Sequence, residues 1–350
     1  MPINRKNIPA MLADTGGWQT DNDGLRIKPI WSADESARPI DPYDRGKPSG
    51  TPFIGHVAVD LYALPPGKQT TPHFHTGHVE VVICWKGSGT VTFAEHDPAA
   101  DTFADPPYQS AVSELYTMVM PKHAWHSFRN TDASNDLVLI IVHALNGSRV
   151  TAKTVPLPSS TAVAIPAANV RDYQRYLKEP GEQFYYFFNN NPNLRAERKR
   201  VWGRDGYYIQ DAGSIRAGDP DHAKEQLHVT NYCFEEGQEN PGHFHPFSIE
   251  LVIAVEGKTT MIAREKQMHT QSGKRVPKEG WPQGKPADRT VIEYGDTVLV
   301  PVAGWHRYIN FKENYQGDPP ALANNSNRSL VVAMQTPHPI MHTLEMETNF

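Results

Sequence analysis

The sequence predicts an all-β chain: two tandem jelly-roll β-barrels, with an N-terminal arm and a partly helical linker. Three observations carry this. Short runs that are β-branched or alternate apolar with polar recur along the chain, bounded by turn residues. Thirty prolines in 350 residues, about twice the usual share, favour turns and ordered loops over long helices. One histidine-bearing segment occurs twice, as GKQTTPHFHTGHVEVVICWKG at residues 67–87 and GQENPGHFHPFSIELVIAVEG at residues 237–257. A period that long marks a repeated domain.

Taken in order, residues 1–50 are polar and rich in Pro, Asp and Gly, with Trp18 and Trp31 as isolated anchors. They read as an irregular arm packed on a domain or a partner subunit. Residues 51–155 form the first barrel. FIGHVAVDLYAL alternates, EVVICWKGSGTVTFAEH follows the histidines, HDPAADTFADPPYQS is a loop, and ELYTMVMP and LVLIIVHAL close the barrel. Residues 156–204 are the linker, where RDYQRYLKE and NLRAERKR have the best helical prospects. Arg195, Arg198, Lys199 and Arg200 read there as a solvated helix face or a subunit contact ahead of an anion site. Residues 205–350 form the second barrel, with QLHVTNYCFEE, TTMIAREK, RTVIEYGDTVLVP and SLVVAMQTP as strands. Its loop HTQSGKRVPKEGWPQGKPADR contains a ten-residue insertion relative to the first half, and its length suits a lid or interface element. The aromatic run QFYYFF needs burial and, with the arm, predicts a homo-oligomer, a dimer or larger.

Composition narrows the function. A net charge of -5 gives no reason to expect nucleic acid or an anionic membrane as partner. No apolar run is long enough for a signal peptide or a bilayer span. The two cysteines, Cys84 and Cys233, lie on apolar strand-like segments and read as buried free thiols in a reducing cytoplasm.

The repeated segment carries the chemistry. His73 and His75 are two apart, so on a strand both leave the same face, and Glu80 follows on the next run. His243, His245 and Glu250 repeat them 170 residues later. A third histidine comes from PKHAWHSFRN (His126) and PVAGWHRYIN (His306), 180 residues apart. Three imidazoles and one carboxylate suit Fe(II), Mn(II), Ni(II) or Cu(II), and exclude a thiolate site. The expected metal ligands are therefore His73, His75, Glu80 and His126 in one half, and His243, His245, Glu250 and His306 in the other. That gives up to two divalent metals per chain, Fe(II) foremost.

These paired segments resemble the two motifs of the cupin superfamily, G(X)5HXH(X)3-4E(X)6G and G(X)5PXG(X)2H(X)3N. The second copy fits from Gly295 through Pro301 to Asn310, with Ala303 at the inner glycine. The first copy has Leu115 and His123 at the two glycine positions, and keeps Pro121, His126 and Asn130. What the resemblance implies is a two-domain metal-dependent cupin. Flavonol dioxygenases retain the three-histidine, one-glutamate set, whereas the gentisate group typically lacks the glutamate. Manganese oxalate decarboxylases and oxidases share the ligands, but usually carry an arginine just before the first metal histidine; KQTTP and QENPG have none. The expected function is a dioxygenase that uses O2 on a small phenolic or enolic compound. The alternatives are an oxalate decarboxylase or oxidase, an isomerase or lyase, and a non-catalytic metal- or ligand-binding cupin.

Asymmetry between the halves selects the reacting one. Counting by twos from Glu80 puts His78 on the ligand face, where the second half has Ser248. His78 is the expected acid–base group beside the first metal, and Glu80 and Glu250 complete the candidate catalytic set. His123 has no counterpart either. His143 and Gln335 lie near the ends of the closing strands, where they can face the cavities. Arg129 and Arg307, which follow the third histidines, are candidates for meeting an anion. The aromatics Phe74, Trp85, Trp125, Phe244, Phe247, Trp305 and Tyr308 read mostly as barrel core.

Overall fold

A computed structural model describes residues 3–32 and, with short breaks, 55–146; between residues 153 and 214 it describes isolated strands only. It describes residues 228–336 with breaks that include 240–248, 278–287, 301–303 and 311–327. The described residues are almost all strand, and their one helix is six residues long. The helices expected of RDYQRYLKE and NLRAERKR fall outside the described residues.

The arm is more regular than its composition suggests. It holds β1 (Arg5–Asn7), α1 (Ile8–Ala13) and β2 (Arg26–Trp31). Asn7 caps α1 by accepting from the Ala10 amide at 3.0 Å, and Pro9 sits in the first turn, where its missing N–H costs nothing. In place of an irregular packing segment, β1 and β2 are ladder strands, on different barrels.

The first barrel contains β3 (Gly55–Leu64), β4 (His73–Phe74), β5 (His78–Lys86), β6 (Ser88–Ala94), β7 (Tyr108–Ser113), β8 (Tyr116–Met120), β9 (Trp125–Asn130) and β10 (Leu137–Asn146). One sheet runs β8-β5-β10-β3-β2, and the other runs β4-β9-β6-β7. Tyr186–Asn189, from the aromatic run, pairs antiparallel with β8 and extends the first sheet. In the second barrel β11 (His228–Glu235), β12 (Ile249–Glu256), β13 (Lys258–Glu265), β14 (Asp288–Glu293), β15 (Asp296–Val300), β16 (Gly304–Asn310) and β17 (Arg328–Thr336) repeat the plan. Here the sheets are β1-β15-β12-β17-β11 and β16-β13-β14.

Alternation along β5 explains how the layers form. Val82 and Cys84 point into the first barrel, with Phe93, Val91, Met118 and Ile141. Val81, Ile83 and Trp85 point out, and pack with Ile249, Leu251, Ile253 and Val255 of β12 in one shared core. Both faces of these strands are buried, which is why their sequences read as continuous apolar runs. The second barrel has its own interior, around Val252, Met261, Tyr308 and Val331.

Two glycines show why the repeated segments end as they do. Gly87 and Gly257 take φ of +90° and +69° at the same tight turn in each half, a conformation that costs other residues steric strain. Across each barrel, the closing asparagine of the motif is a strut. Asn130 Nδ2 donates to the Leu64 and Asn135 carbonyls, both at 2.8 Å, and Asn310 Nδ2 donates to the Phe234 carbonyl at 3.0 Å.

Candidate metal centre

Three elements bring the first ligand set together. His126 on β9 lies directly opposite His73 on β4. Glu80 on β5 lies opposite Met120 on β8 and His143 on β10. The loop that carries the paired histidines is pinned to β9: the Phe128 amide donates to Thr70 Oγ1 at 2.9 Å, and Ser127 Oγ donates to the Thr70 carbonyl at 3.0 Å.

The geometry fits a cation. One donor atom from each of His73, His75, Glu80 and His126 falls within 4.8 Å of all the others. His126 Nε2 and His75 Nε2 both face Glu80 Oε2, at 2.8 and 3.1 Å. His73 Nδ1 lies 2.7 Å from the Thr71 carbonyl, which accepts its N–H and leaves Nε2 for the centre. Backbone hydrogen bonding of this kind fixes the tautomer of a ligating imidazole. Electrostatics point the same way. Burial, reinforced by His126, pushes His73 down to about 3, and burial pushes His75 down despite Glu80. Burial alone would raise Glu80, but His75 and His126 outweigh it and hold the carboxyl well below its ordinary range. Neutral imidazoles around an ionised carboxylate are the protonation states a divalent cation requires.

In the second barrel, Glu250 lies opposite Val300 and Gln335, and its Oε2 is 3.3 Å from His306 Nε2. Tyr308 Oη donates to Glu250 Oε1 at 3.1 Å. Burial would lower His306, but the carboxylate of Glu250 overrides it and raises its pKa. His243 and His245 lie outside the described residues, so only half of this expected set is placed.

The remaining candidates divide. His78 stands two positions before Glu80 on β5, opposite Leu145; its side chain lies outside the described residues, as do His123, Phe244, Phe247 and the side chains of Gln335 and Trp305. His143 does reach the first centre: its ring centroid is 6.0 Å from that of His75, near-perpendicular to it. Its Nε2 lies 3.3 Å from Asp60 Oδ2. Asp60 is the residue that sequence reasoning missed. Its signal was a carboxylate at an inward position of the alternating strand HVAVDLYAL, between Ala58 and Tyr62. Arg129 is exposed. Phe74, Trp85 and Trp125 are buried, Trp85 in the core between the barrels. Tyr308, expected to be core, is core and also touches Glu250. Cys84 is a buried free thiol whose pKa burial raises to about 12, consistent with an inert packing residue.

Residues 51–156 match the family model described as auxin binding protein. Over nearly its whole length the chain also superposes on a Lactobacillus farciminis oxalate decarboxylase in its formate complex. That match has TM-score 0.51 and 11% identity, and covers 96% of this chain and 86% of the other. The chain has the two-domain cupin fold. A second oxalate decarboxylase structure, solved to study an element that modulates proton-coupled electron transfer, matches with TM-score 0.50 and 14% identity over 95% of this chain and 77% of that one. No curated protein matches the sequence. At these identities the likeness defines the cupin architecture, and the chemistry has to be read from the site.

Proposed function

We propose that this cupin is a metal-dependent dioxygenase whose reaction centre is the first barrel, acting with Fe(II) and O2 on a small phenolic or enolic compound. The observation that carries a metal-dependent reading is the convergence of His73, His75, Glu80 and His126 donors within 4.8 Å. A divalent metal held there would supply Lewis acidity and, as iron, one-electron exchange with dioxygen. The protein's part is to converge four donors, keep His73 and His75 neutral, and bury Glu80 so that its charge goes unscreened. The polar pair His143–Asp60 stands beside His75 and supports the first barrel as the reacting one. By register their counterparts in the second barrel are Gln335 and Thr230, which offer no carboxylate–imidazole pair. His78, on the same strand as Glu80, remains the proposed acid–base group, with Glu80 as the catalytic carboxylate and Glu250 as its counterpart.

The oxalate decarboxylase folds favour one other reading, a manganese enzyme acting on oxalate. Against it, no arginine precedes the first metal histidine, and Arg129 is exposed. The deciding experiment is metal analysis of protein purified without added metal, paired with oxygen uptake and carbon dioxide release on phenolic substrates and oxalate. Iron and oxygen uptake on a phenol are expected. Carbon dioxide release from oxalate by a manganese-loaded protein replaces this reading with the second. Bound metal with no turnover on either panel leaves a binding cupin.

A further inference from the structure

The two barrels place an aromatic ring at the same station, two residues past the third histidine. In the first it is Phe128, whose ring centroid lies 5.8 Å from His126 with planes at 65°. In the second it is Tyr308, 5.7 Å from His306 with planes at 67°. Phe128 is 2% exposed and Tyr308 is fully buried. The two stations differ by one hydroxyl, and that hydroxyl donates to Glu250 Oε1 at 3.1 Å. In the first barrel no phenol stands there, and Glu80 instead gathers both His75 and His126 on Oε2.

We infer that Tyr308 is a positioning residue that reserves one oxygen of Glu250, so that the second centre holds its metal through Oε2 alone in a fixed arrangement. The inference rests on the reading that each barrel binds a metal. The physical reason is that a carboxylate oxygen accepting a buried phenolic O–H gives up donor capacity. The same bond fixes the plane of the carboxylate, so turning Oε1 toward a cation would weaken the hydrogen bond that Tyr308 gives it. The second centre is thereby stiffened toward retention of its metal. With Phe128 at the same station, the first carboxylate lacks that phenolic hydrogen bond, and Glu80 is freer to rearrange as ligands enter and leave. The division of labour follows from that one oxygen atom: a holding site in the second barrel and a reacting site in the first.

The test uses the full chain loaded with Mn(II) and read by electron paramagnetic resonance, together with the rate at which a chelator removes each metal. His126→Ala and His306→Ala assign each signal and each rate to its barrel. Tyr308→Phe should change the second-barrel spectrum and speed its metal loss roughly tenfold, the lower end of what outer-shell partners contribute. The first-barrel signal should stay as it was. Tyr308→Phe removes one atom from a station where the other half carries Phe, and the reciprocal Phe128→Tyr should shift the first-barrel spectrum and slow its metal loss. An unchanged spectrum and loss rate in Tyr308→Phe overturn the inference. A single bound metal that survives His306→Ala overturns the two-metal reading beneath it. The proposed oxygen chemistry is judged separately, by turnover.

Discussion

At the residue scale the candidate centre of the first barrel turns on Glu80, the one carboxylate of its four converging residues, which is 2% exposed. Its oxygen is the shared focus of two imidazoles, so Glu80→Ala removes both a donor and the charge that balances the cation. Loss of one metal equivalent is expected, with the second retained, measurable by elemental analysis; Glu250→Ala should do the converse. Activity should fall further in Glu80→Ala than in Glu250→Ala, and the opposite order would move the reaction to the second barrel. His73 makes a pH prediction for the metal-free protein. Its ordinary value is 6.5 and the folded value is about 3, so below 6.5 the unfolded chain takes up a proton that the folded one refuses. That contribution is fully present above 6.5 and is lost as pH falls toward about 3. Glu80, depressed by its imidazole neighbours, adds to the same trend below its ordinary 4.5. His306, raised by Glu250, works the other way, since its contribution is present below 6.5 and lost as pH climbs through its raised value. The thermal midpoint of chelator-treated protein should therefore drop on acidification, and the drop should be shallower in His73→Gln.

At the element scale the closing asparagines connect local geometry to stability. Asn130, on the strand that carries His126, satisfies two backbone carbonyls, one at the end of β3 and one in the turn before β10. Asn130→Ala leaves buried acceptors unmet and should cost about 1–3 kcal/mol, read as a lower denaturant midpoint with an unchanged m-value. These elements were legible in sequence because alternation, β-branching and paired glycines are strong local signals, and a repeated motif at fixed offsets fixes both barrels at once. The grouping of His73, His75, Glu80 and His126 was legible for the same reason. Asp60 and the Tyr308 hydroxyl were not. Each depends on which residue a neighbouring strand sets opposite or beside it, and register between distant strands is absent from any single segment. The arm was misread as irregular because its first strand is short and polar: β1 is three residues long and acquires its partner from β15, almost three hundred residues away.

At the scale of the whole molecule, the barrels are joined by a shared apolar core, and the arm is laid across both. On one side, β2 pairs with β3 of the first barrel; on the other, β1 pairs with β15 of the second. Ile8, fully buried, sits in the core that both barrels share. Trp31 Nε1 donates to Thr297 Oγ1 at 2.9 Å, Asn7 Nδ2 to Asp296 Oδ1 at 2.9 Å, and the Ile8 amide to the Gly295 carbonyl at 2.8 Å. The aromatic segment Tyr186–Asn189, like the arm, finds its ladder partner within the chain. Self-association is therefore a separate proposal, for which light scattering at micromolar concentration should give a dimer or larger.

The clamp makes a prediction of its own at Gly295, the glycine that opens the second copy of the downstream motif. Its φ is +87°, and a Cβ built there would come within 2.2 Å of Pro9 Cδ. Both the backbone and the arm therefore demand glycine. Gly295→Ala strains the turn by roughly 1–3 kcal/mol, and Pro9 can escape only by lifting α1 away. Ile8→Ala attacks the same junction without touching the turn, opening a cavity worth about 2–5 kcal/mol in the shared core. If the arm couples the barrels, both variants should split a single calorimetric transition into two while each barrel keeps its metal. A lone transition, shifted down in both variants, would show that the direct contact between Val81, Ile83, Ile249 and Leu251 suffices without the arm.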